Sequence, residues 1–433
     1  MLFDEALQYL LSLGHETLAI KLGLANTERL LEAVGQPQKA FRKVQIAGTN
    51  GKGSTAVMLD AMTRAAGIKT ALYTSPHLVS ITERLRFDGR EIQPESFADL
   101  TARVREAANA LLAAGAIQAL PTFFEHLTVM FLLACVDART ELAILETGLG
   151  GRLDATTAAG AEVVAITSIA LDHQEYLGET LPEIAAEKAA IIRRGVTAIV
   201  SPQPPEALAV IERRGAECEV RLRQSDCAPT LQGASRDGRL RVTFESGQDR
   251  YEDVLLGLRG GHQVTNACIA IQLAEALRES GFVISRADII AGLHSARHAG
   301  RLEIYEESPR ILFDGAHNIA GAQALRDYLD EFVSHPVTLV FGAMRDKDLK
   351  EIAAILFPVA RRLILTQPSS PRAATPEMLA QVVPPDAAAT ITAAPDLREA
   401  LRIALTETTR EGLVCVTGSL YLVGEAQSIL GAR

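Results

Sequence analysis

Lys52 stands inside VQIAGTNGKGST, residues 44–55, with glycines at 48, 51 and 53. A short apolar run precedes the loop, and AVMLDAMTRAAG follows it with helical spacing. Strand, glycine-rich loop and helix in that order form the setting in which a phosphate-binding loop works. Glycines let the backbone approach phosphates closely. N–H groups across Gly48, Thr49, Asn50, Gly51, Lys52 and Gly53, with the helix N-terminus, supply partial positive charge. Lys52 adds a full charge for the outer phosphates, and the hydroxyl of Ser54 or Thr55 can ligate magnesium. The spacing departs from G-x-x-x-x-G-K-[ST], because Gly48 lies three residues before Gly51 and Gly53 follows the lysine. A short Gly/Lys segment also reads as a plain turn; the flanking strand and helix favour the phosphate site.

Other chemistry-bearing residues sit at the ends of apolar runs. LAILE closes on Glu146 beside Gly148, Gly150 and Gly151. A carboxylate there suits a magnesium ligand or a water-ordering acid, or is a simple loop acid. TALY runs out at Ser75-Pro76-His77, where Ser75 and His77 are ligand-side candidates or a cap and a surface histidine. VVAITSIALDHQEYLG (163–178) reads as a strand ending at Asp172-His173. Lys188 lies on the apolar stripe of a helix over 181–195. It either snorkels or loses its proton and becomes reactive. Asn266 falls in the first turns of a helix at 260–277; Asp314, His317 and Asn318 follow one strand, and Arg345, Asp346 and Lys347 another.

The elements that must position these residues form an α/β chain. Residues 1–40 read as helical with a turn near Gly14-His15, where His15 reads as a turn or packing residue. The chain changes character over 218–258, where RLRVTFES and RYEDVLLGL alternate like antiparallel strands around a turn at Gly247. From Arg301, strands at 337–344, 363–367 and 413–420 alternate with helices, the pattern of a parallel sheet covered on both faces. The expected architecture is a P-loop-type ATPase domain with a central, mostly parallel sheet over 1–296. A smaller Rossmann-like α/β domain is expected over 297–433.

Composition narrows the partners. The 433 residues are 48% hydrophobic and 22% charged, with net charge −10, and the pI is near 5.5. No Lys/Arg run suggests a nucleic-acid surface, and no apolar run reaches membrane-spanning length. The N-terminus, MLFDEALQYLLSLG, reads as an amphipathic helix and not as a signal peptide. Five scattered cysteines without zinc-type spacing suggest reduced thiols in a cytoplasmic protein.

Taken together, the motifs resemble the folylpolyglutamate synthase and dihydrofolate synthase family of the Mur ligase superfamily. They stand in order as GTNGKGS (48–54), TSPHL (74–78), ETGLGGRLDAT (146–156), LDH (171–173) and EKAAII (187–192). GGHQVTNA (260–267), GRLE (300–303), FDGAHN (313–318), FGAMRDKD (341–348) and TGSLYLVGE (417–425) continue the set. The resemblance implies an ATP-dependent ligase. A carboxylate of dihydropteroate or a reduced folate is phosphorylated by ATP, and the amine of L-glutamate attacks the acyl phosphate. It implies that Lys52 contacts the outer phosphates. Ser54, Ser75 and Glu146 hold one of two magnesium ions. His173 and a carbamate on Lys188 hold the other. Asn266, Arg301, Asp314 and His317 bind ATP or close the second domain over it. A monomer is expected. Thr157 stands where the family usually has asparagine, Ala299 replaces a common proline, and His298 stands where an aromatic residue is common. These departures bear on substrate contacts and on the looseness of the interdomain hinge. Two other readings are a related Mur-type amide ligase with another carboxylate substrate and a non-catalytic nucleotide-binding regulator. The short N-terminal region argues against the first, and the set Glu146, His173 and Lys188 against the second.

Overall fold

The computed structural model describes residues 1–14, 23–224, 226–305, 307–385, 387 and 390–432. His15 lies outside them. Eight strands form the first sheet: β1 (Arg42–Ala47), β2 (Thr70–Tyr73), β3 (Leu85–Phe87), β4 (Arg90–Glu91), β5 (Leu142–Glu146), β6 (Val163–Ile166), β7 (Thr197–Val200) and β8 (Leu222–Gln224). Their order is β4-β3-β2-β5-β1-β6-β7-β8. Only the β2–β3 and β3–β4 pairings are antiparallel. The central strand β1 pairs with β5 on one side and β6 on the other. The chain order therefore reverses at β1, and the loop after it opens into the crevice where such sheets hold ligands.

Alternation along the strands divides the core. Val44, Ile46 and Ile144 face one cluster with the helix Lys52–Ala65 and the helix His262–Glu279. Ala143, Leu145 and Tyr73 face the opposite cluster with the helices Pro94–Ala113 and Phe123–Asp137. Burial on both faces explains why LAILE is apolar at nearly every position. The acid at its end, Glu146, is carried into the crevice.

A three-stranded antiparallel sheet, β9 (Ala228–Ala234), β10 (Arg239–Glu245) and β11 (Arg250–Arg259), packs Val242, Phe244 and Tyr251 into the first cluster. The last sheet contains β12 (Glu303–Tyr305), β13 (Arg310–Asp314), β14 (Val337–Phe341), β15 (Ala360–Leu365), β16 (Thr390–Ala393) and β17 (Leu413–Thr417). Its order is β12-β13-β17-β14-β15-β16, parallel except for the β12–β13 edge. The chain thus combines a mostly parallel central sheet with a C-terminal α/β domain.

Two elements differ from expectation. The strand expected over 163–178 stops at Ile166. Beyond it the chain leaves the sheet to bond with the loop after β1: the N–H groups of Thr49 and Asn50 donate to Ser168 O, and Ala170 N donates to Thr49 Oγ1. His173 is therefore not at a strand end but in a left-handed conformation, φ 51°, capping the short helix Gln174–Leu177. The helix expected over 181–195 ends at Ala189. As expected, residues 1–40 are helical where they are described, with the helices Phe3–Ser12 and Ala25–Ala33 and a 3-10 turn. No helix among the described residues is long and apolar enough to cross a membrane.

Candidate functional site

The carboxyl ends of β1, β2, β5, β13 and β14 open onto one cavity of about 630 Å³. The loop after β1 forms its floor. Gly51 caps the helix Lys52–Ala65 with φ 90°. A Cβ there would come within 2.2 Å of Asn266 Oδ1, so only glycine lets the helix His262–Glu279 lie so close to the loop. Lys52 curls back over the loop, donating to Gly48 O at 3.0 Å and Thr49 O at 3.1 Å. Burial lowers its pKa, against the pull of Glu146 and Asp172.

Glu146 is buried and accepts from Ser75 N through Oε2 at 3.1 Å. Burial raises its pKa, and Lys52 is the strongest opposing influence. Its Oε2 lies 3.3 Å from where a Cβ on Gly53 would stand, so the carboxylate faces the helix turn that carries Ser54. Ser54, Ser75 and Glu146 are thus drawn together from three elements. Such an all-oxygen set suits a hard cation like magnesium. Thr55, the other hydroxyl of the motif, is fully buried and its Oγ1 has no hydrogen-bond partner.

Lys188 reaches the same loop from the helix Leu181–Ala189 and donates to Gly48 O at 3.0 Å. It does not snorkel. Burial, reinforced by the nearby charge of Lys52, brings its pKa down to about 7. A neutral amine can therefore exist there, and carbamylation would turn it into an oxygen donor. His173 lines the same cavity with its side chain 37% exposed; desolvation by the surrounding protein lowers its pKa, to about 4. Imidazole alone suits magnesium poorly, so this second set fits a magnesium ion only with Lys188 carbamylated. Among the described residues, no cluster of three or more His, Cys, Asp or Glu side chains is grouped to hold a metal.

Asp172 is the point on which the C-terminal domain converges. It accepts from Lys347 Nζ at 2.6 Å and Asn318 Nδ2 at 3.0 Å. His317 Nε2 stands 3.7 Å away and His173 Nε2 3.9 Å away. Burial alone would raise its pKa, but His317 and His173 in their protonated forms, together with the Lys347 ammonium, hold it far below the carboxylate range. Asn318 also donates to Asn50 Oδ1 at 3.1 Å, bringing the second domain directly onto the loop. Arg301 donates to Gly315 O at 3.3 Å, while Asp314 accepts Leu302 N and Ala316 N, both at 2.9 Å. Burial raises the Asp314 pKa against the pull of Arg301. His317 binds Gly315 O through Nδ1 at 2.8 Å, which turns Nε2 toward Asp172.

Sequence reasoning did not select Asp172, Gln263 or His298, all of which line the cavity. Gln263 Nε2 donates to Ser54 Oγ at 3.3 Å, and Ser54 Oγ lies 3.3 Å from His298 Nδ1. Burial lowers the His298 pKa to about 3. Thr157 points away from any ligand: it accepts from Gln45 at 2.8 Å and donates to Gly151 O at 2.7 Å, fixing the glycine loop from behind. Gly14 and the aromatic pair Phe123 and Phe124 line the wall beside Pro76, Arg152 and Tyr176. That wall is apolar enough for a flat ring system. Arg152 there is paired with Glu187 at 2.9 Å.

Residues 46–274 match the Mur ligase middle domain, and residues 300–420 match the Mur ligase glutamate ligase domain. A Halobacterium salinarum protein described as a probable bifunctional folylpolyglutamate synthase/dihydropteroate synthase is 37% identical over 99% of this chain. The chain spans about half the length of that relative, 52%. The dihydrofolate synthase/folylpolyglutamate synthase of Escherichia coli is 34% identical, covering 99% of this chain and 95% of the relative. Escherichia coli FolC in complex with DHPP and ADP superposes with a TM-score of 0.88 at 32% identity, covering 100% of this chain and 98% of that one.

Proposed function

The chain belongs to the dihydrofolate synthase/folylpolyglutamate synthase family of Mur ligases, and on that footing we propose that it is an ADP-forming ligase. It joins L-glutamate to the carboxylate of dihydropteroate and of reduced folates. The observation that carries this reading is one cavity holding Lys52, Glu146 and Lys188 from the first domain against Asp314, His317 and Lys347 from the second. We place the domains at 1–296 and 297–433. The last sheet and its helices supply their own apolar clusters from Leu302 onward, with Leu78 the one contributor from the first domain among the described residues.

The reaction runs in two steps. A carboxylate oxygen of the pterin-bearing substrate attacks the γ-phosphorus of ATP, forming an acyl phosphate and releasing ADP. The glutamate amine then attacks the acyl carbon, the amide C–N bond forms, and phosphate leaves with the bond to that oxygen. Lys52 and the loop N–H groups hold the phosphates in line and take up developing charge. Ser54, Ser75 and Glu146 would hold one magnesium ion, and His173 with carbamylated Lys188 a second; when bound, they neutralise phosphate oxygens. Asn266, Arg301, Asp314 and His317 border the nucleotide. Asp172, Asn318 and Lys347 keep the second domain against the first, which shields the acyl phosphate from water. The apolar wall at Phe123, Phe124 and Tyr176 seats the pterin. The free, buried cysteines accord with a reducing cytoplasm, and a monomer suffices for the chemistry.

The test is to supply dihydropteroate and a reduced folate separately with ATP, magnesium and L-glutamate, and to identify products by mass. Both should gain one glutamate with one ADP formed per bond. Product from the folate alone would remove the dihydrofolate synthase half. ADP release independent of glutamate and pterin would remove the ligase reading.

A further inference from the structure

We infer that His298 is a positioning residue for the cation site, setting the direction of the Ser54 hydroxyl from the segment that joins the two domains. The inference rests on the reading of Ser54 as a cation ligand. It starts from a network of hydrogen bonds around the Ser54 hydroxyl. Asn266 Nδ2 donates to Gln263 Oε1 at 3.0 Å, which fixes the Gln263 amide so that Nε2 faces the other way. Nε2 can only donate. It does so to Ser54 Oγ at 3.3 Å and to His262 Nε2 at 3.0 Å. The Ser54 oxygen has one proton and two lone pairs. One lone pair receives the Gln263 hydrogen. With its proton on Nε2, His298 offers Nδ1 as the acceptor for the hydroxyl hydrogen at 3.3 Å. The remaining lone pair is then free on the side of the oxygen away from both partners.

The surroundings show that this contact is built in. A Cβ on Gly53 would stand 2.7 Å from His298 Cε1, so the glycine after Lys52 leaves the room the ring occupies. Gln263, Ser54 and Asn266 are all buried and line the cavity. His298 follows the helix Arg286–Ser295 and precedes Gly300 and Arg301 at the entry to the C-terminal sheet. The orientation of Ser54 is therefore tied to the path of the link between the domains. If the link moves, the hydroxyl loses its acceptor and rotates. Partners of this kind around a metal ligand are typically worth about 10- to 100-fold in metal affinity.

The experiment is calorimetric binding of ADP to the full-length protein, in excess magnesium and in EDTA. His298→Phe keeps an aromatic ring and removes the acceptor. It should weaken ADP binding in magnesium about tenfold and leave binding in EDTA unchanged. His298→Asn, whose side-chain oxygen can stand near the Nδ1 position, should recover most of the loss. Gln263→Leu frees the hydroxyl from the other side and should show the same magnesium-specific weakening, a check that holds even if His298→Phe does not fold. No loss in either variant, or equal loss with and without magnesium, overturns the inference. Ser54→Ala separates the two claims: if it keeps the full magnesium enhancement, the reading of Ser54 fails. If Ser54→Ala loses that enhancement while His298→Phe and Gln263→Leu keep it, only the role of His298 fails.

Discussion

Lys52 and Lys188 share a single acceptor: both Nζ atoms donate to the carbonyl oxygen of Gly48, each at 3.0 Å. Two cations on one oxygen repel, and burial makes either charge costly. Both pKa values are lowered, that of Lys188 to about 7. Lys52 has Glu146 and Asp172 as its strongest charge partners. The geometry therefore assigns the charge to Lys52 and the neutral amine to Lys188.

Lys52→Ala should lower turnover by about a hundredfold or more while the protein stays folded, because it deletes charge directed at the transferring phosphoryl group. Steady-state kinetics beside circular dichroism check this. Near-normal turnover in a folded variant would remove the phosphate-site assignment.

Carbon dioxide reacts with the neutral amine and not with the ammonium. The Lys188 amine is protonated below about pH 7 and neutral above it. Carbamate occupancy should rise as pH climbs through about 7 and fall as pH drops below it. Carbon-13 NMR with labelled bicarbonate reads this directly, and Lys188→Ala should lack the resonance. The same variant should lose most activity, with short carboxylic acids restoring part. A full resonance in Lys188→Ala would place the carbamate elsewhere.

Asp172 and Lys347 should behave as one unit. Their side chains are 8% and 12% exposed, so solvent screens the pair little. Asp172→Asn and Lys347→Ala in a double-mutant cycle should show a coupling of about 1–3 kcal/mol in denaturant stability. Strict additivity would mean that the contact does not hold the domains together.

The fragment 1–295 should fold, since among the described residues the clusters of the first sheet draw only Ala296 and Phe332 from beyond it. It should ligate poorly, because Asp314, His317 and Lys347 are gone. A cooperative melt with activity below about one hundredth of the full chain is expected. Full activity from the fragment would refute a shared site.

What could be read from the sequence was local. A strand, a glycine loop and a helix announce the phosphate loop, and an apolar strand ending in Glu146 announces a ligand-side acid, because each signal lies within a few residues. Asp172 was hidden because the segment after Ile166 takes its hydrogen bonds from Thr49 and Asn50, not from the sheet. Gln263 reads as one more helix residue, and His298 lies on a link with no periodicity. Their roles arise only when three distant segments meet at Ser54. Strand β9 was missed for a simpler reason: all seven of its residues are exposed, so it carries no alternation. The short edge strand β16, TITA, is also mostly exposed.

The central claim is that a substrate carboxylate takes phosphate from ATP before glutamate attacks. A pterin substrate with both oxygens of its reacting carboxylate replaced by oxygen-18 tests it in one measurement. Mass analysis of the released phosphate should find one oxygen-18 per amide bond formed, because the oxygen that attacked the γ-phosphorus leaves with it. Amide product accompanied by unlabelled phosphate would contradict the acyl-phosphate route.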